Sequence, residues 1–201
     1  MNGYERRKHK KIEQVFEAAF QLFTRHGYQK VSVNEIAQQA GVSPATIYNY
    51  FGTKDQLYID MIMNWMDKQL AKYDRILESD LPFPEKTKEI MLLEANNLTF
   101  LSEEFRRIQA SEDRGIDLKI RQESEQKIKG FFMKFVALGK QEGYIDKEQT
   151  EEVAMLFFTM FMNELGRRWD SANREFAIST ESLMELFFYG LAGQHHRGEQ
   201  R

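Results

Sequence analysis

The sequence predicts an all-α protein of nine helices, a three-helix N-terminal head containing a helix-turn-helix followed by a longer helical body. Three observations lead there. The strong helix formers Ala, Leu, Glu, Lys, Arg, Gln and Met make up 103 of the 201 residues, against 27 for Val, Ile and Thr together. Straight side chains lose little rotamer freedom in a helix, whereas β-branched ones are disfavoured there. Gly and Pro, at 12 and 3, are too few for a chain of many hairpins. Apolar residues also recur at helical spacing between recognisable start and stop signals.

The first helix is marked by Ile12, Val15, Phe16, Ala19, Phe20 and Phe23, which form one stripe. Gly27 stops it, and Tyr28 can pack back on the last turn. The second opens at Ser32-Val33-Asn34-Glu35, a capping-box pattern in which Ser and Glu satisfy each other's end of the helix. Ile36, Ala37 and Ala40 are its buried side. Gly41 closes it, Val42 plugs the turn, and Ser43-Pro44 caps and starts a third helix over Pro44 to Tyr50. Thr53-Lys54-Asp55-Gln56 opens a longer fourth. Helices of about seven residues are too short to be stable alone and must be clamped by their neighbours. A short, clamped second helix after a tight turn is the arrangement that enters a DNA major groove.

Leu81-Pro82-Phe83-Pro84 breaks the fourth helix, and a fifth is expected from Pro84 to Leu101. A short sixth covers 103–112 and the seventh 117–141, ended by Gly143-Tyr144. Asp146 is the expected cap of an eighth helix reaching Asp170, and Ser179 that of a ninth reaching Gln194. The division expected is a DNA-binding domain over 1–53 and a ligand-binding and dimerisation domain over 54–201.

Charge supports that division. Residues 1–54 carry a net +4 and residues 55–201 a net −7, so the first quarter suits a polyanion and the remainder tends to stay off it. The absence of Cys removes disulfides, thiolate metal sites and a cysteine nucleophile, and favours a reducing, cytoplasmic address. No apolar stretch approaches the ~18 residues needed to cross a bilayer, so no membrane partner is expected. The basic cluster from Arg6 to Lys11 has the charge of a signal peptide's start but no apolar stretch after it, and reads as a solvated arm or a contact to DNA.

The run from Val31 to Leu57, with Gly41-Val42-Ser43 followed by Tyr48-Asn49-Tyr50-Phe51-Gly52-Thr53-Lys54-Asp55, resembles the signature of the TetR family of bacterial transcriptional regulators. Ala18-Ala19-Phe20-Gln21-Leu22-Phe23 and Gly27-Tyr28 match as well. The resemblance covers about the first 60 residues closely. It implies a TetR-like nine-helix homodimer with three N-terminal helices on DNA. Side-chain chemistry suggests the same roles. Tyr48, Tyr50 and Lys54 are suited to phosphate contacts, with Lys54 at a helix N-terminus, and Ser32, Ser43 and Thr46 are further phosphate ligands. Base reading falls to Asn49, which can be bidentate to adenine, to Asn34, and to the apolar surfaces of Pro44 and Ala45 against thymine methyls.

In the body, Glu94 and Asn97 interrupt the apolar stripe of the fifth helix, which is costly unless something binds them. With Phe131, Phe132, Phe135, Phe158, Met162 and Asn163 they form the expected small-molecule site, apolar walls with a few orienting polar groups. The last two helices carry doubled apolar faces, so Val153, Phe157, Phe161, Leu183, Phe187 and Leu191 are expected at a homodimer interface. The four His residues have no metal-pair spacing and no Gly-rich phosphate loop follows a strand. No enzyme activity, metal or cofactor is therefore expected. The function implied is a homodimeric repressor that an apolar or amphipathic effector releases from a pseudo-palindromic operator in double-stranded DNA. The alternative is a body that docks a protein partner.

Overall fold

The computed structural model describes residues 2–94, 97, 114–170 and 180–192. Eight helices and no strands are present among them. They are α1 (Gly3–His26), α2 (Val33–Ala40), α3 (Pro44–Phe51) and α4 (Lys54–Leu77), then α5 over 83–94, α6 (Arg114–Gln141), α7 (Glu151–Asp170) and α8 (Thr180–Ala192). The short helix expected over 103–112 lies outside the described residues.

Two compact units are formed, one by the described residues within 1–68 and 103–125, the other by those within 69–102 and 126–201. In the first, α1 supplies Val15, Ala18, Ala19 and Phe23 to a core that also holds Val33, Ile36 and Ala37 of α2, Ile47 and Phe51 of α3, and Leu57 and Tyr58 of α4. The caps form as the sequence indicates. Ser32 and Glu35 make a reciprocal capping box, Ser43 Oγ accepts from Thr46 N–H at 3.2 Å, and Pro44 opens α3. Gly41 adopts a left-handed conformation, φ 66°, that lets Val42 N–H reach Ala37 O at 3.0 Å and turns the chain between α2 and α3.

Several boundaries differ from expectation, among them the start of α6 at Arg114, and two of the differences follow from caps. α1 begins at Gly3, because Asn2 accepts from the Tyr4 and Glu5 amides while Glu5 reaches back to the Asn2 N–H. The basic cluster Arg6 to Lys11 is thus helical and not an arm. Asp146 does not cap α7: its carboxylate accepts from Glu148 N–H at 2.9 Å within a local turn, and the hydroxyl of Thr150 caps the helix instead, accepting from Val153 N–H at 3.3 Å.

The second unit is built on an aromatic core. Tyr73, Leu77, Phe83, Ile90, Phe132, Phe135, Val136, Ile145, Ala154, Phe187 and Leu191 are buried together. Phe187 is central, with Phe161 at 4.4 Å and Phe157 at 5.1 Å between ring centroids. At the start of α5, Glu142 accepts from Phe83 N–H at 3.2 Å and pairs with the buried Lys86 at 3.6 Å, so one carboxylate serves both a free helix amide and an ammonium. After α6 the chain turns back onto Gly139, which has no side chain: a Cβ there would lie 2.6 Å from Ile145 Cδ1 and 2.8 Å from Phe83 Cζ. Both neighbours are themselves buried, Phe83 between Phe135 and Tyr144, and have little room to yield. Gly139→Ala is therefore expected to destabilise this unit by about 1–3 kcal/mol, the usual cost of overpacking, read as a lower urea midpoint. An unchanged midpoint would show that Ile145 and Phe83 can move aside.

Candidate nucleic-acid interface and effector site

α3 divides cleanly by exposure. Ile47 and Phe51 face the core, while Pro44, Ala45, Tyr48 and Asn49 are exposed, with Ser43 exposed at its cap. Tyr48 is 51% exposed, a large aromatic left in solvent with a hydroxyl to offer. Thr46 is half-buried, and its hydroxyl lies 2.9 Å from that of Ser43. Ser32 and Asn34 are exposed at the start of α2. Tyr50 is half-buried, packed edge-on to Phe51, with the Lys8 ammonium 5.8 Å from its ring centroid. The basic turn of α1 is therefore brought to the end of α3, a neighbour that the sequence did not reveal.

Lys54 opens α4 beside this face. Thr53 Oγ1 accepts from Gln56 N–H at 3.0 Å, and the Lys54 ammonium stands 4.2 Å from the centroid of Tyr28. Desolvation lowers the pKa of Lys54, opposed by the charges of Asp55 and Glu35. Glu35 itself is held below the usual carboxylate value, first by the hydrogen bond from the Ser32 side chain. Within the same unit, Lys119 of α6 donates to Gln56 Oε1 at 2.6 Å, and Gln56 Nε2 donates to Asp60 at 2.6 Å. The residues expected to face DNA are thus exposed or half-buried on α2, α3, their caps and the start of α4, offering hydroxyls, amides, the apolar surfaces of Pro44 and Ala45, and the Lys54 ammonium.

In the second unit, Glu94 and Asn97 are joined by a residue the sequence reading missed. The Tyr73 hydroxyl donates to Glu94 Oε2 and accepts from Asn97 Nδ2 at 2.5 Å. Tyr73 is apolar in pattern on α4, and only folding reveals that its hydroxyl answers two polar groups of another helix. Burial pushes the Glu94 carboxyl up, opposed by the Tyr73 hydrogen bond, and pushes the Tyr73 phenol up as well. Phe131 packs 5.3 Å from Tyr73. Phe132 and Phe135 are fully packed core residues, Phe132 stacked on the half-buried Phe158 at 4.4 Å, so their first role is to fill the unit. The side chains of Met162 and Asn163 lie outside the described residues.

The residues expected at a dimer interface divide by exposure. Phe187 and Leu191 are 3% and 4% exposed, buried in their own unit, because one apolar face of α8 is consumed by the aromatic core. Phe157 and Phe161 are half-buried against Phe187, Val153 is exposed, and the Leu183 side chain lies outside the described residues. The second apolar face falls instead on Val153, Leu156 and Met160 of α7 and on Leu186 and Tyr189 of α8, each more than half exposed.

Comparison with known proteins agrees with this architecture. Residues 15–61 match the family described as bacterial regulatory proteins, tetR family. Along its length the chain is similar to the fatty acid metabolism regulator protein of Bacillus subtilis (strain 168), 24% identical over 197 residues, covering 92% of this chain and 98% of that protein. The HTH-type transcriptional regulator HbdR of Aromatoleum sp. (strain CIB) is 35% identical over 74 residues, 37% of this chain and 31% of its own. Among solved structures, the fatty acid degradation regulator FadR from Bacillus halodurans superposes with a TM-score of 0.64 at 24% identity, over 90% of this chain and 96% of that one. FadR from Bacillus subtilis, solved in complex with stearoyl-CoA, gives 0.60 at 22% identity over 89% and 98%. At these identities the structural likeness shows the fold.

No described helix is long and apolar enough to cross a membrane.

The raised Glu94 carboxyl has a measurable consequence. Its proton is bound more tightly in the folded protein than in the unfolded chain, so its contribution favours folding in acid and declines as pH rises above about 4.5, until the folded group has also ionised. Glu94→Gln keeps the shape and removes the charge. The melting temperature of the wild type is expected to fall relative to that of Glu94→Gln as pH rises above about 4.5. Parallel pH profiles would show that Glu94 is not held neutral by burial.

Proposed function

We propose that the chain is a DNA-binding transcriptional regulator of the TetR family that works in the cytoplasm as a homodimeric repressor released from a pseudo-palindromic operator by a fatty acyl effector. The observation that carries the DNA reading is the exposed face of α3, with Tyr48 and Asn49 in solvent and Lys54 at its edge. Asn49, Asn34, Pro44 and Ala45 read base edges, and Ser32, Ser43, Thr46, Tyr48, Tyr50 and Lys54 hold phosphates. Few strong base-edge donors are present, so DNA shape contributes to specificity.

The effector reading rests on the second unit's chemistry. A long apolar chain suits walls such as the half-buried Leu93, Phe131, Phe157, Phe158 and Phe161, and the Tyr73–Glu94–Asn97 cluster supplies the orienting polar end. The full-length likeness to a fatty acid metabolism regulator, and the stearoyl-CoA bound by a protein of the same fold, support an acyl compound over other amphipathic molecules. α4 and α6 each contribute residues to both units, so a population shift in the second can bias the first. Switching the head from almost fully competent to almost fully released requires a preference of about 10⁴-fold for the released state.

Acyl-CoAs of increasing chain length, added to the full-length protein, are expected to raise its melting temperature and to release bound DNA in the same order. Asn97→Ala should raise the concentration needed for both by about tenfold or more, through a lost polar contact worth about 1–3 kcal/mol. If no chain length changes either quantity, the effector class is wrong while the DNA reading stands.

The dimer is tested by paired substitutions. Leu156→Glu with Leu186→Glu places charges on two side chains that are exposed within one chain, 59% and 69%, and is expected to yield folded monomer by sedimentation with an unchanged helical signal. Phe187→Glu should instead disrupt the core and lower the melting temperature. A Leu156→Glu/Leu186→Glu protein that remains dimeric would place the interface elsewhere.

A further inference from the structure

Lys54 does not reach its position by its own backbone alone. Its ammonium lies over the face of Tyr28, 4.2 Å from the ring centroid, and that ring is fixed from every side. Tyr28 is 5% exposed and packs at 5.4 Å against Phe23 of α1 and at 5.1 Å against Tyr58 of α4. Its hydroxyl donates to Asp55, the residue next to Lys54 in the first turn of α4. The ring is therefore anchored at its edge by α4 and along its sides by the head core, and only its remaining face is offered to the ammonium.

We infer that Tyr28 is a positioning residue for DNA binding: its ring holds the Lys54 ammonium at the N-terminus of α4, beside the exposed face of α3, ready for a backbone phosphate. A free lysine samples many rotamers and must lose them when it binds; a ring quadrupole under the charge removes part of that cost before DNA arrives. The carboxylates of Asp55 and Glu35 also attract the ammonium, but neither makes an ion pair with it among the described residues, so the ring is its close partner. The Tyr28–Asp55 hydrogen bond has a second effect, since it occupies the carboxylate that follows Lys54 in the chain. The alternative is that Tyr28 only fills the core behind Gly27. This inference rests on Lys54 contacting phosphate, and the experiment separates the two.

Full-length protein is titrated with a random-sequence duplex at low salt, where sequence-independent phosphate contacts dominate. Lys54→Ala, Tyr28→Leu, Tyr28→Phe and the double variant Tyr28→Leu/Lys54→Ala are compared, each with a thermal melt. Lys54→Ala is expected to weaken binding and flatten the salt slope by about 0.9. Tyr28→Leu should weaken binding about three- to tenfold in the wild-type background and not at all in the Lys54→Ala background. Tyr28→Phe, keeping the ring but not the Asp55 bond, should fall between Tyr28→Leu and wild type. Equal losses from Tyr28→Leu in both backgrounds, or no loss where Lys54→Ala does weaken binding, overturn the positioning role. No loss from Lys54→Ala itself overturns the phosphate contact and the inference with it. Should Tyr28→Leu fail to fold, the Lys54 ε-methylene NMR resonance of the wild type decides: shifted upfield by the ring current it supports the stacking, and unshifted from the other lysines it refutes it.

Discussion

Two eight-residue helices cannot stand alone, and the head is organised around that fact. α2 and α3 persist because Ile36, Ala37, Ile47 and Phe51 are buried in one core with Val15, Ala19 and Phe23 of α1 and Leu57 and Tyr58 of α4. Their free amides are met by Ser32 and Ser43, and the turn between them depends on the left-handed Gly41. Once one side of α3 is committed to that core, the other is left in solvent with fixed orientation. The exposed face of α3 is thus a by-product of the clamp. Loosening the clamp would blur the positions of Tyr48 and Asn49 without touching either.

The head was legible in the sequence because its signals are local. A capping box, a Gly stop and Pro at the first helical position each act within four residues, and the Ser32–Glu35 and Ser43–Pro44 pairs behave as their spacing indicates. Where two local solutions compete, the sequence alone misleads. Asp146 and Thr150 both have capping side chains; the turn at 146–149 captures Asp146, leaving Thr150 for α7. Asn2 and Glu5 form a capping box that a basic, polar stretch conceals, since no apolar stripe announces a helix there.

The body was less legible because its contacts are distant in sequence. Periodicity shows that α8 has two apolar faces but not which one its own core takes, and Phe187 and Leu191 turn inward because aromatic rings from α6 and α7 surround Phe187. Glu94 and Asn97 stood out as polar interruptions, whereas Tyr73, the group that joins them, looks like any other apolar stripe residue until the helices pack. A buried polar cluster in an aromatic unit is costly unless its members satisfy one another. Here the phenol does so for both, donating to the Glu94 carboxyl and accepting from Asn97.

A reading surface on one chain becomes an operator preference only when a second copy presents the same surface one turn of duplex away. Selection of tight binders from a library of random duplexes by the full-length protein tests this most directly. The expected product is a set of duplexes sharing two inverted half-sites, their centres about one helical turn apart or slightly more. Enriched duplexes without inverted symmetry, or no enrichment over the starting library, would contradict a dimer that reads DNA through α2 and α3.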